Sequence, residues 1–75
     1  MMSEILTGEI ELARAVIMRA IEDAKASKDS LDRREARLFL CAKNRLWRNS
    51  LKAWCELAEW TEDDIIKWAR SQWMN

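Results

Sequence analysis

Residues 10–25 read IELARAVIMRAIEDAK, and their apolar members return at helical intervals. Ile10, Ala13, Val16, Ile17, Ala20, Ile21 and Ala24 fall on one wide stripe of a single α-helix. Much of the stripe is alanine, which lets another helix approach closely. The alternation of period two that marks a strand does not persist anywhere in the chain for more than a few residues. With no proline, one glycine (Gly8), 49% apolar and 35% charged residues, the chain is short of breakers and full of helix formers. The expectation is an all-α fold, a compact bundle of about four helices.

Working outward, Thr7 with Glu9 and Glu11 places acids where a helix dipole favours them, so the first helix is expected to start between Ser3 and Thr7. It should run to about Lys25, because Ser27-Lys28-Asp29-Ser30 is a polar break rich in turn and cap formers. Asp32-Arg33-Arg34-Glu35 then reads as a capping box with Asp32 as the cap. Ala36, Phe39, Leu40 and Lys43 share one side of the second helix, and Asn44 either ends it or caps the next. In the third helix Trp47, Leu51, Trp54 and Ala58 make one face, ending near Glu59. Thr61 caps the fourth, Trp60 and Ile65 staple its start, and Ile65, Trp68, Ala69 and Trp73 form its inner face. The 75 residues therefore divide into one long helix over 1–26 and three shorter ones over 31–75, a single domain.

Composition removes several functions. There is no histidine, so the commonest general base and nitrogen metal ligand are both missing. Cys41 and Cys55 lie too far apart for a CxxC pair, and they read as buried reduced thiols rather than a disulfide framework. One glycine rules out the glycine-rich phosphate loops. No pair of carboxylates stands out as acid and base, so no enzyme, metal or cofactor is expected. Met1-Met2-Ser3-Glu4 does not open a signal peptide, and no uncharged stretch is long enough to span a membrane. A cytoplasmic protein is the expectation.

Two distributions are uneven. All five tryptophans (Trp47, Trp54, Trp60, Trp68 and Trp73) lie in the last 29 residues. Their ordinary use is as core filler, but so many large rings exceed the interior of so short a chain, which points to Trp47 and Trp73 as interface anchors. Net charge is zero, yet residues 33–52 hold seven bases against Glu35 alone, while each flank has three more acids than bases. Such a band either pairs with the acidic flanks or meets an acidic or apolar groove on a partner protein. Arg33, Arg34, Arg37, Arg45 and Arg48 are the candidate contacts, with Trp47 and Trp73 beside them. The stripe containing Ile10, Ala13, Ile17, Ala20 and Ala24 is the candidate for self-association into a dimer.

Leu51 to Arg70 resembles a helix-turn-helix: Cys55 takes the small buried position, Ala58 precedes the turn, Trp60 and Thr61 follow it, and Ile65 and Trp68 take apolar positions of the second helix. Glu59 stands where such motifs usually have glycine, and Glu62, Asp63 and Asp64 open the helix that would enter a DNA groove. Three carboxylates there repel phosphates, so nucleic acid is disfavoured as the partner. A transcriptional regulator that binds DNA is kept as the alternative. Glu35-Ala36-Arg37-Leu38-Phe39-Leu40, Trp47, Ser50, Trp54-Cys55-Glu56-Leu57-Ala58, Ile65, Trp68 and Ala69 together resemble a loose class of small phage- and prophage-encoded helical proteins. That resemblance covers about half of the chain and transfers no functional residues. It implies a non-enzymatic regulator or inhibitor that works in a bacterial host's cytoplasm by occupying a repressor or host protein.

Overall fold

A computed structural model describes the backbone of residues 2–74 and the side chains of residues 8–74. It is all-helical, with α1 at Met2–Lys25, α2 at Leu31–Leu40, α3 at Arg45–Ala58 and α4 at Glu62–Trp73. The long first helix is the spine. α2 and α3 pack on it, and α4 packs on α2 and α3, with no close backbone approach to α1 among the described residues.

Helix ends follow local chemistry, with some shifts from expectation. α1 begins at Met2, so Thr7 lies inside it rather than at its cap. α2 is capped by Ser30, not Asp32: the Ser30 hydroxyl accepts the Arg33 amide at 3.2 Å. A serine two residues earlier takes the Arg33 amide, whereas a box centred on Asp32 would have taken the amides of Glu35 and Asp32. Asp32 then serves as an acid in the first turn, and Glu35 is released from capping. Asn44 caps α3 by accepting the Trp47 amide at 3.0 Å. Thr61 holds the cap position of α4 in extended conformation, without a side-chain bond.

The two tight corners share one device. Ala42 and Glu59 both adopt positive φ, at 50° and 59°. At the first corner the Lys43 amide reaches back to Leu38 O and the Ala42 amide to Phe39 O; at the second, Trp60 reaches Cys55 O and Glu59 reaches Glu56 O. These are Schellman closures, which glycine normally makes because a Cβ is crowded at positive φ. Here residues with side chains carry that strain.

Ile17, Leu40, Leu51 and Cys55 are the largest side chains fully shut from solvent, and Ala13, Ala24, Ala58 and Ala69 complete the centre. No tryptophan is among the buried residues. On α3 the buried face is Leu51, Cys55 and Ala58, with Trp47 and Trp54 half-buried at its border. On α4 Ile66 and Ala69 point inward, while Ile65 and Trp73 are half-buried and Trp68 is turned outward. The expected inner faces were thus rotated toward the indoles. Alanine and cysteine at the contacts bring the helices too close for an indole, so the rings lie around the core as a collar.

Arginines close the helix ends. Arg14 Nε donates to Ala58 O at 2.9 Å, at the end of α3. Arg37 Nε donates to Ala24 O at 2.9 Å, in the last turn of α1. Arg70 Nε donates to Cys41 O at 3.0 Å, just past α2. Each cation satisfies a carbonyl left free by a helix terminus and sits at the negative end of its dipole.

Replacing Arg14, Arg37 or Arg70 by methionine should each lower stability by about 1.5–3 kcal/mol, the range for hydrogen bonds that involve a charged group. Arg19→Met, which loses only an exposed pair with Asp23, should stay within about 0.5 kcal/mol. Urea midpoints check this, and equal midpoints for all four variants would refute the clasp. Glu59→Gly should relieve the positive-φ strain and stabilise by about 1 kcal/mol, or roughly 4–8 °C in melting temperature. A lower melting temperature would show that Glu59 is held by something other than turn geometry.

Candidate partner-binding surface

The basic band divides into an inner and an outer half. Arg33 donates to Ala26 O and Ser27 O and pairs with Asp29 at 3.1 Å. Arg34 grips the same carboxylate through two bonds, at 3.2 and 3.1 Å. Those bonds hold the Asp29 carboxyl below its ordinary range and raise the Arg34 guanidinium, with Arg34's hydrogen bond the leading cause for Asp29. Arg37 is bound to Ala24 O and lies 5.3 Å over the Trp73 ring. These three arginines therefore stitch α2 to the end of α1. Arg45 and Arg48 are different: both are exposed, as are Lys43 and Lys52, and none of the four has an ion-pair partner among the described residues.

Arg45, Arg48 and Lys52 recur at helical spacing along the solvent side of α3. Beside them runs an apolar edge, with Leu46 at 76% exposure, then Ala53 and Leu57. Leu46 and Leu57 lie outside the α3 face of Trp47, Leu51, Trp54 and Ala58 that the sequence picks out, and no motif marks them. Their phase, opposite Leu51 and Cys55, was the available signal. Trp47 is half-buried and meets Phe39 edge-on at 6.5 Å. Trp73 is half-buried between Arg37 and Trp68, whose ring is 5.3 Å away.

The alanine stripe of α1 is occupied. Ala13, Ile17 and Ala24 are buried within the chain's own core, while Ile10 and Ala20 are half-buried. A face covered by its own α2 and α3 is not free to pack on a second copy, so association would need another surface.

Beside α3 lies a groove between α1, α2 and α3, about 260 Å³ in volume. Val16, Ala20 and Ala36 line its depth with the rings of Phe39, Trp47 and Trp54, and Asp23, Asp32 and Glu35 supply its polar lining. A larger hollow of about 410 Å³ separates α1 from the start of α4; Met18, Ile21, Trp60 and Ile65 line it. Trp60 and Ile65, expected to staple α4, meet at that hollow, and Arg14 lies 5.3 Å over the Trp60 ring.

In the helix-turn-helix-like segment Cys55 and Ala58 are buried and Glu59 is left-handed. Its second helix opens with Glu62 half-buried and Asp63 and Asp64 exposed. The described residues contain no cluster of metal-ligating side chains, and no helix among them is long and apolar enough to cross a membrane. No protein-family model, curated protein or solved structure matches the chain.

Both cysteines are free and buried. Burial pushes the Cys41 thiol up, against the pull of Arg70, Lys43 and Arg37; burial, with the nearby Glu62 carboxylate, pushes Cys55 to about 11. A thiol that ionises less readily when folded supports the fold fully below its unfolded pKa of 9.0 and loses that contribution as pH rises toward 11. Native protein at pH 8 should therefore leave both thiols unreactive to an aromatic disulfide reagent, with full reaction after unfolding in guanidinium. Rapid native labelling would contradict the burial that Cys55 and Cys41 share.

Proposed function

We propose that this chain is a non-enzymatic protein-interaction module that presents the outer face of α3 to a partner protein. The observation that carries this reading is Leu46, 76% exposed on a helix whose adjoining cations, Arg45, Arg48 and Lys52, have no internal ion pair among the described residues. A helix that carries a row of unpaired cations and, on another side, an exposed apolar edge offers both arginine, which is enriched at interfaces, and apolar area to bury. The matching surface is acidic, with an apolar depression that receives Leu46. Long-range attraction between the two charges would speed encounter, and the leucine would slow release.

The resemblance to small phage and prophage proteins favours a regulator or inhibitor that occupies a repressor or host factor in the bacterial cytoplasm. Within the basic band, recognition falls to Arg45 and Arg48, because Arg33, Arg34 and Arg37 spend their donors on the chain itself. DNA binding is the second reading, and the left-handed turn at Glu59 between two helices favours it. Against it stand Asp63 and Asp64, exposed where a recognition helix would approach phosphates.

A photo-cross-linking residue at position 46 should trap one protein in host extract, and Arg45→Glu with Arg48→Glu should cut the yield by about ten-fold. An undiminished yield from the double variant would remove the basic face from the account. In a gel shift at low salt the protein should leave duplex DNA unshifted at micromolar concentration; a salt-sensitive complex would favour the second reading.

A further inference from the structure

Two of the four half-buried indoles, Trp60 and Trp73, are covered in the same way. Trp60 carries the Arg14 guanidinium at 5.3 Å, and Trp73 carries that of Arg37 at 5.3 Å. In both cases the same arginine also donates through Nε to a backbone carbonyl. A cation thus rests against a ring face while a carbonyl oxygen accepts a hydrogen bond from its Nε–H. Trp47 and Trp54 are half-buried to a similar degree, yet no cation lies over either ring among the described residues.

What lies beside those two rings is the other half of the arrangement. Trp47, Trp54 and Phe39 share the α1–α2–α3 groove with Asp23, Asp32 and Glu35, and no basic residue lines it. Asp32 and Glu35 have no ion pair and no side-chain hydrogen bond among the described residues, and Asp23 has only a 3.5 Å pair with the exposed Arg19. Aromatic faces and carboxylates together attract a cation and repel anions, phosphates included.

We propose that this groove is a docking site for an arginine side chain carried by a basic segment of a partner protein. This goes beyond the α3-face reading, since it has the opposite charge preference and uses the side of the molecule where α1 and α2 contribute. Charge complementarity defines the occupant. Arginine fits better than lysine because its flat guanidinium stacks on an indole and forks onto carboxylates, whereas an ammonium offers a point charge. A volume of about 260 Å³ accommodates one long side chain. The occupant supplies to Trp47 and Trp54 what Arg14 and Arg37 supply to Trp60 and Trp73.

The test uses the full chain labelled with nitrogen-15 and the peptide acetyl-Ala-Leu-Arg-Arg-Leu-Ala-amide. Saturable movement of the Trp47 and Trp54 indole signals is expected, with those of Trp68 and Trp73 still. Citrulline in place of both arginines keeps the shape, removes the charge and should weaken binding by about ten-fold or more. Asp32→Asn and Glu35→Gln should each weaken it several-fold with the fold retained. Glu35→Gln, exposed and outside the first turn of α2, should also leave the melting temperature unchanged, whereas Asp32→Asn loses a first-turn acid and lowers it slightly. Arg45→Glu with Arg48→Glu should bind the peptide undiminished, so failure of the α3 face and failure of this groove are read separately. Equal affinity for the citrulline peptide, simultaneous movement of all five indoles, or no saturable shift at millimolar peptide would overturn the assignment. So would Trp47 and Trp54 signals that move with protein concentration alone and stop moving in the Arg45→Glu, Arg48→Glu variant, because the occupant would then be a second copy.

Discussion

A helix ends in carbonyls that its own backbone leaves unbonded, and this short chain answers three of its four endings with an arginine from elsewhere. Arg37 closes α1, Arg70 closes α2 and Arg14 closes α3. Each bond joins elements distant in sequence, so it fixes how one helix lies on another as well as satisfying a polar group. Nearly half of the buried side chains are alanine and two more are cysteine, with Ile17, Phe39, Leu40, Leu51 and Ile66 the only bulky ones among the described residues. Such a centre gives close approach but limited apolar area, and small domains need added fixing. The clasps supply part of that fixing.

The same clasps govern what the surface can offer. An arginine bound to a carbonyl and stacked on an indole has fewer donors left for a partner, which holds for Arg37 and, through Asp29 and the loop carbonyls, for Arg34 and Arg33. Within the basic band, Lys43, Arg45, Arg48 and Lys52 have neither ion pair nor side-chain hydrogen bond among the described residues, and the last three lie on α3 with Leu46 and Leu57. On the adjoining side the acids of α1 and α2 collect around bare aromatic rings. A molecule of zero net charge thus presents two faces of opposite preference. Steering toward either kind of partner depends on this local separation, not on the total.

Much of the fold was legible in the residues. The breaks at Ser27–Ser30 and around Asn44, and the ending at Glu59, fell where polar and capping chemistry placed them. What went astray was rotational phase. Trp68 on α4 was read as inward and is outward, with Ile66 in its place; on α3, Cys55 replaced the indoles at the centre. Hydrophobicity ranks an indole with the core, but the spacing between helices is set by the smallest residues at the contact, and that spacing excludes it. The cap of α2 moved for a similar reason of competition: Ser30 and Asp32 both have the right chemistry, and only the path of the chain from α1 selects the serine. Of the candidate contacts, Arg45 and Arg48 stood free, and nothing in their own sequence neighbourhood separated them from Arg33 or Arg37.

Composition and periodicity alone determined that this chain is helical, where its helices break, and that histidine-based chemistry is closed to it, because those properties depend on each residue's neighbours within a few turns. Tertiary structure alone decided which arginines are spent on carbonyls 13 to 44 residues away and which remain for others. It also decided that the tryptophans form a collar instead of a core. Both outcomes depend on distances between helices, and those are set by packing that no local window of sequence contains.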